Sequence, residues 1–164
     1  MTRSNCVLLE HLVINNKVSM NKYHLAQINV AHAHAPLESE IMAGFVDRLD
    51  EINALAENSH GFVWRHTSEE SYAASMQASD NSLLLINMSI WQDLESLKNY
   101  VYKSIHVELI QDRSAWFKKM LTQHQALWWI PAGEIPSIED GKAKLAFLQD
   151  NGPTQEAFTF AKPF

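Results

Sequence analysis

The chain has 164 residues, 46% of them hydrophobic and 20% charged, which suits one full core and is too few for two comfortable domains. Its net charge of −6, with the four arginines Arg3, Arg48, Arg65 and Arg113 scattered, argues against a nucleic-acid surface, which needs clustered cations. The single cysteine, Cys6, excludes an internal disulfide, and no run approaches the roughly 20 apolar residues of a membrane span.

The opening residues 1–19 carry short apolar runs broken by Glu10 and His11, without the continuous apolar region of a secretory signal. They read as an upstream extension, poorly ordered, ahead of a single domain over residues 20–164. The expected location is the cytoplasm, with no nucleic-acid or membrane partner.

Tyr23 to Ala33 alternates as a first strand, with Ala26, Ile28 and Val30 on one face and Leu25, Gln27 and Asn29 on the other. Pro36 suits the first turn of a helix. From Glu38 to Glu57, Ile41, Phe45, Leu49, Ile52 and Ala56 recur at helical spacing. Gly61 then opens a second strand, GFVWRHT, and the polar segment from Ser68 to Ser82 reads as a hairpin connection or loop. Ser82 to Trp91 is a third strand. Asp93 caps a helix through Ser104 with Leu94, Leu97 and Val101 inward.

Ser104 suits the cap of a further helix to about Met120, burying Ile105, Leu109, Trp116 and Met120. His124 to Pro131 is the fourth strand, Ser137 caps a last helix through Leu148, and NGP ends it. The tail EAFTFAKPF alternates aromatics at Phe158 and Phe160, as an extended strip would.

Strand, helix, strand, strand, helix, strand is the order of the α+β, ferredoxin-like split β-α-β fold with an antiparallel sheet, here with an extra C-terminal helix and tail. Helices cover one side of such a sheet. The face bearing Leu25, Leu83, Leu85 and Trp91 beside Gln27, Asn29, Asn87 and Ser89 is too apolar to stay open. It is therefore assigned to a homodimer in which two sheets meet face to face.

The segments YHLAQIN, IMAGFVDRLDEINALAENSHGFVWR, LLINMSIW, ALWWIPAG and GPTQEAFTFAKPF together resemble a bacterial family of uncharacterised proteins, a domain of unknown function, from about Tyr23 to Phe164. That family is placed in the dimeric α/β-barrel superfamily. The superfamily includes antibiotic-biosynthesis-type monooxygenases that need no cofactor, haem-degrading monooxygenases, and small-molecule isomerases or decarboxylases. The resemblance implies a small-molecule pocket walled by a strand ending in Trp91 and by His106 beyond the next helix. In the haem degraders an asparagine on the first strand completes the set, and Asn29 is the nearest match. Asn29 falls on the face assigned to the dimer, which counts against haem.

From His106, Ile110, Arg113 and Phe117 follow at spacings of four, three and four, so one helical face would carry a base, a cation and a ring. His106 is the side chain suited to share a proton near neutral pH, and Arg113 to steady an anion. The bland counterpart is a helix-junction histidine bonded to backbone. Trp64 and Trp91, with Trp129, could wall a ring, although tryptophans in a sheet are more often core. Arg65, on the face opposite Trp64, could orient an anion.

His32 and His34 in HAHAP share a face with His24, but no third ligand stands at a diagnostic spacing, so no metal is expected. No GxSxG, Walker or GxGxxG pattern occurs. The expected activity is a cofactor-independent monooxygenase-like or isomerase-like reaction on an aromatic or enolisable substrate. His106 and Arg113 would be catalytic, with Trp91, Trp64, Asn29 and Phe117 against the substrate. The alternatives are a non-catalytic ligand-binding or dimeric scaffold protein, and a haem-binding or haem-degrading one.

Overall fold

The computed structural model describes residues 22–67, 83–103 and 113–164. The extension expected over residues 1–19, the loop expected over 68–82, and His106 with the start of the helix expected there all lie outside the described residues. The strands are β1 (Tyr23–His32), β2 (Phe62–Arg65), β3 (Leu84–Trp91) and β4 (Gln125–Pro131). The helices are α1 (Ala43–Glu57), after a 3-10 turn at Glu40–Met42, α2 (Leu94–Lys103) and α3 (Ile138–Asn151). The sheet order is β2-β3-β1-β4 with every pairing antiparallel, which is the ferredoxin-like arrangement expected from the element order.

Local chemistry sets the helix starts. Asp93 Oδ1 accepts from the Ser96 backbone N–H at 2.7 Å, satisfying one of the orphan donors of α2. Ser137 and Asp140 form a reciprocal capping box on α3. The helix expected from Pro36 starts later, because Pro36–Ser39 closes a turn through Ser39 N–H to the Pro36 carbonyl at 3.0 Å. The helix expected to reach Met120 stops at residue 116. There the chain leaves to pair with the end of β1, His34 N–H donating to the Trp116 carbonyl and Lys118 N–H to the His32 carbonyl, each at 2.8 Å.

Both faces of the sheet are covered within the one chain. Ala26, Ile28, Val30, Ile86, Met88, Ile90, Ala126, Trp128 and Ile130 form one apolar face, and all are buried beneath Leu145 and Leu148 of α3. Gly141 lets α3 approach: a Cβ there would stand 2.9 Å from Ile28 Cδ1 and 3.0 Å from Met88 Sδ. The other face carries Leu25, Gln27, Asn29, Asn87, Ser89 and Trp91. This corrects the sequence expectation, which gave that face to a second subunit. It turns toward α1 and α2, where Leu25, Trp91, Leu97, Leu127, Ala56 and Phe158 pack together. Phe158 pairs with Leu127 at the edge of β4 by two backbone hydrogen bonds, and the tail then turns at Thr159–Lys162 instead of running on as a strip.

Candidate functional site

The inner face of the sheet is built in rows across β4, β1 and β3. Leu25 lies between Trp129 and Trp91, Gln27 between Leu127 and Ser89, and Asn29 between Gln125 and Asn87. Because side chains alternate along each strand, these rows share one face. Toward the start of β1 the face is aromatic, and toward its end it is a floor of amides. Above it stand Phe45, Leu49, Ile52 and Ala56 of α1, at the helical spacing legible in the sequence, with Leu97, Tyr100 and Val101 of α2. Between them is a cavity of about 490 Å³, within the usual range for small-molecule sites.

Trp91 is fully buried at the aromatic end. Tyr100 stacks on it with ring centroids 5.1 Å apart and planes at 25°, and Phe62 meets it edge-on at 5.4 Å. Its indole N–H donates to Ser89 Oγ at 2.9 Å. Burial pushes the Tyr100 phenol up to about 12, the nearby Arg65 guanidinium opposing the rise. Tyr100 therefore enters the cavity as a neutral phenol at any physiological pH.

The charged lining is cationic. Arg113 sits half-buried with its guanidinium 5.9 Å from the centre of the Phe117 ring, and burial holds its pKa below the ordinary arginine value. Arg65 Nε donates to Glu57 Oε1 at 2.8 Å, which offsets part of its charge. No lining residue is acidic among those described. His66 and His124 also border the cavity.

Of the residues singled out from sequence, Trp91, Asn29, Arg113 and Phe117 all line this cavity, and Phe117 meets Phe45 edge-on at 4.9 Å. His106 lies outside the described residues. Asn29 faces the helices and not a dimer contact, so the geometric objection to it as a pocket residue falls. Trp64 does not line the cavity. The β2–β3 register shifts between Phe62 and Trp64, so Phe62 opposes Trp91 but Trp64 opposes Ile90. The irregularity turns Trp64 to the α3 face, against the aliphatic core, and brings Arg65 beside Ser89 on the cavity face. Trp129 shares the sheet face of the cavity but does not line it, its indole N–H donating to the Phe164 carbonyl at 2.8 Å.

His34 Nε2 lies 3.2 Å from the Ser114 carbonyl. Sequence reasoning missed Tyr100, Gln27, Asn87, Ser89 and Gln125 as pocket residues. The signal was present: polar side chains recur at one parity on three strands.

A comparison with curated proteins gives no match. Among solved structures, the chain is similar to SnoaB, a cofactor-independent oxygenase from Streptomyces nogalater. The identity is 13%, with a TM-score of 0.45 over 68% of this chain and 95% of that one. It is also similar to a protein of unknown function from Nitrosomonas europaea, at 12% identity and a TM-score of 0.44 over 71% of this chain and 98% of that one. Residues 24–164 match the family model described as domain of unknown function DUF3291, and the chain belongs to that family.

Proposed function

We propose that the cavity binds a planar, aromatic or enolisable small molecule as its anion, and that the protein is a cofactor-independent monooxygenase-like or isomerase-like enzyme. The observation that carries this reading is Arg113, a half-buried cation in an aromatic cavity whose described lining holds no carboxylate. A half-buried cation with no carboxylate among the described lining residues favours a ligand that supplies the negative charge. Phe45, Trp91, Trp116 and Phe117 supply ring contacts.

In this reading His106 takes a proton from an acidic C–H or O–H, and Arg113 stabilises the resulting enolate or phenolate. In the oxygenase case dioxygen is the oxidant. The carbanion reduces and bonds it, and the hydroperoxide then loses water, so that a CH2 group and O2 become a carbonyl and H2O. In the isomerase case the proton returns to a different carbon and no oxidant is needed.

Calorimetric titration with 2-naphthoate tests the binding half. Arg113→Gln should weaken binding roughly ten- to hundredfold, the worth of a charge-assisted hydrogen bond. Unchanged affinity would refute the anion assignment. Dioxygen uptake over a panel of phenols and 1,3-dicarbonyl compounds tests the chemistry, and His106→Ala should abolish uptake while keeping affinity. Binding with no turnover of any panel member would leave a non-catalytic ligand-binding protein.

Haem binding is favoured by one observation, Asn29 on the cavity floor. Titration with haemin is its test: a Soret shift lost in His106→Ala supports it, and no shift removes it. A homodimer is also proposed, with its contact moved off the covered sheet faces to the exposed Tyr23, Trp129 and Phe164. Sedimentation showing a monomer at all concentrations would exclude it. Among the described residues no helix is long and apolar enough to cross a membrane, and a cytoplasmic location is proposed.

A further inference from the structure

The amide floor of the cavity is ordered by one residue that does not itself reach the ligand space freely. Gln27 is buried, and its side-chain amide is engaged sideways, with both N–H donors and one lone pair of the oxygen in use. Its Nε2 donates to Asn87 Oδ1 at 2.8 Å and to Ser89 Oγ at 3.1 Å, while its Oε1 accepts from Gln125 Nε2 at 3.3 Å. The two flanking amides are thereby oriented in opposite senses. Asn87 has its oxygen engaged and turns its NH2 group outward, whereas Gln125 has its nitrogen engaged and keeps its carbonyl oxygen. Between them, directly opposite both in the strand register, stands Asn29. Among the described residues nothing hydrogen-bonds to its side chain.

From this geometry we infer that the cavity selects ligands carrying a hydrogen-bond acceptor beside a donor on one edge, read by Asn87, Asn29 and Gln125, with Gln27 as the positioning residue. Such an edge belongs to a primary amide or to a hydroxy-carbonyl compound in its keto-enol form. The acceptor lies toward β3, where the Asn87 NH2 is offered, and the donor toward β4, where the Gln125 oxygen is offered. Trp91 takes no part in this readout, because its N–H is held by Ser89. Neighbouring strands stand about 4.8 Å apart, so Asn29 and one flank together match a single polar edge of a ring system. A ligand that lacks the donor leaves the Gln125 oxygen and half of Asn29 without a partner, which is what makes such a site selective.

This inference deepens the proposed small-molecule site and rests on it, but its test does not use charge. Two neutral probes of the same shape are titrated by calorimetry at pH 7: 2-naphthamide, with acceptor and donor, and 2-acetonaphthone, in which a methyl group replaces the NH2. The wild-type chain should bind 2-naphthamide about five- to tenfold more tightly, the worth of one net hydrogen bond. Asn29→Leu should bring that ratio close to one while 2-acetonaphthone still binds. Gln27→Met should also collapse the ratio, although the Gln27 amide is itself engaged within the floor, because Asn87 and Gln125 are then free to turn. A merely structural role for Gln27 would weaken both probes equally.

Should Gln27→Met not fold, Gln125→Met, at a position less buried than Gln27, removes the acceptor and must have the same effect. Equal binding of the two probes, a ratio that survives Asn29→Leu, or no binding of either probe overturns the inference. Loss of the Arg113 dependence with the ratio intact overturns only the anionic reading, so the two fail separately.

Discussion

Replacing Gly61 with alanine tests how the turn before β2 holds the wall of the cavity in place. Gly61 has φ +78°, and its carbonyl accepts from the Gln92 backbone N–H at 2.7 Å, tying the turn to the start of α2. A side chain in that left-handed conformation costs about 1–2 kcal/mol. The new Cβ would stand 2.5 Å from Ser96 Cβ and overlap the Ser96 hydroxyl, and Ser96 is buried on the first turn of α2. Overpacking of that kind adds about 1–3 kcal/mol, for a total loss of about 2–5 kcal/mol.

Urea unfolding at neutral pH, with the midpoint compared at an unchanged m-value, measures the loss directly. The steric part is separable. Ser96→Gly removes both atoms that the new Cβ meets, so the double variant should recover about 1–3 kcal/mol as a coupling energy, while the backbone part persists. A loss below about 1 kcal/mol for Gly61→Ala, set against the cost of the left-handed backbone alone, would refute the argument. So would a double variant whose two losses simply add.

Two further predictions concern pH. Tyr100 is held up at about 12 in the folded chain against its ordinary value of 10.0, so the unfolded chain gives up its proton first as the solution turns alkaline. The stability linked to this group is complete below pH 10 and is lost as the pH rises toward 12. Tyr100→Phe should flatten that part of the profile in urea midpoints taken between pH 9 and 11.5, and an equal alkaline decline in the variant would count against it. Asp140 is shifted the other way, below the ordinary carboxylate value, by its hydrogen bonds from the Ser137 hydroxyl and backbone N–H. Its contribution is present above the unfolded carboxylate pKa and is lost as the pH falls through the folded one, so Asp140→Asn should reduce acid sensitivity around α3, read by helical ellipticity. An unaltered acid transition would contradict it.

The elements and their order were legible because their periods are clean: Ala26, Ile28 and Val30 alternate, and Phe45, Leu49, Ile52 and Ala56 recur at helical spacing. Which face of β1 meets α1 and α2 was not legible. A strand tells its two faces apart by alternation, but both faces here carry enough apolar area to be buried. The wholly apolar face suits a helix packed without gaps, and α3 takes it through Gly141. A face mixing Leu25 and Trp91 with four amides cannot be packed dry without leaving polar groups unsatisfied, and a cavity resolves that conflict. Trp64 was misplaced for a different reason. Counting by twos along β2 fails once the register shifts after Phe62, and nothing in FVWR announces that shift.

The alternation along β1 also constrains how the chain can fold. Sliding β1 by one residue against β3 and β4 would turn Gln27 and Asn29 toward Gly141 and Leu145, and would point Ile28 and Val30 into the cavity. Each amide stranded under α3 would cost roughly 1–3 kcal/mol. The Gln27 ladder to Asn87, Ser89 and Gln125, which spans all three strands, would be broken in the same step. Residues that furnish a binding floor thus also serve as alignment marks for the central strand. Simplifying that floor to aliphatic side chains would remove the distinction between the correct pairing and its nearest competitor.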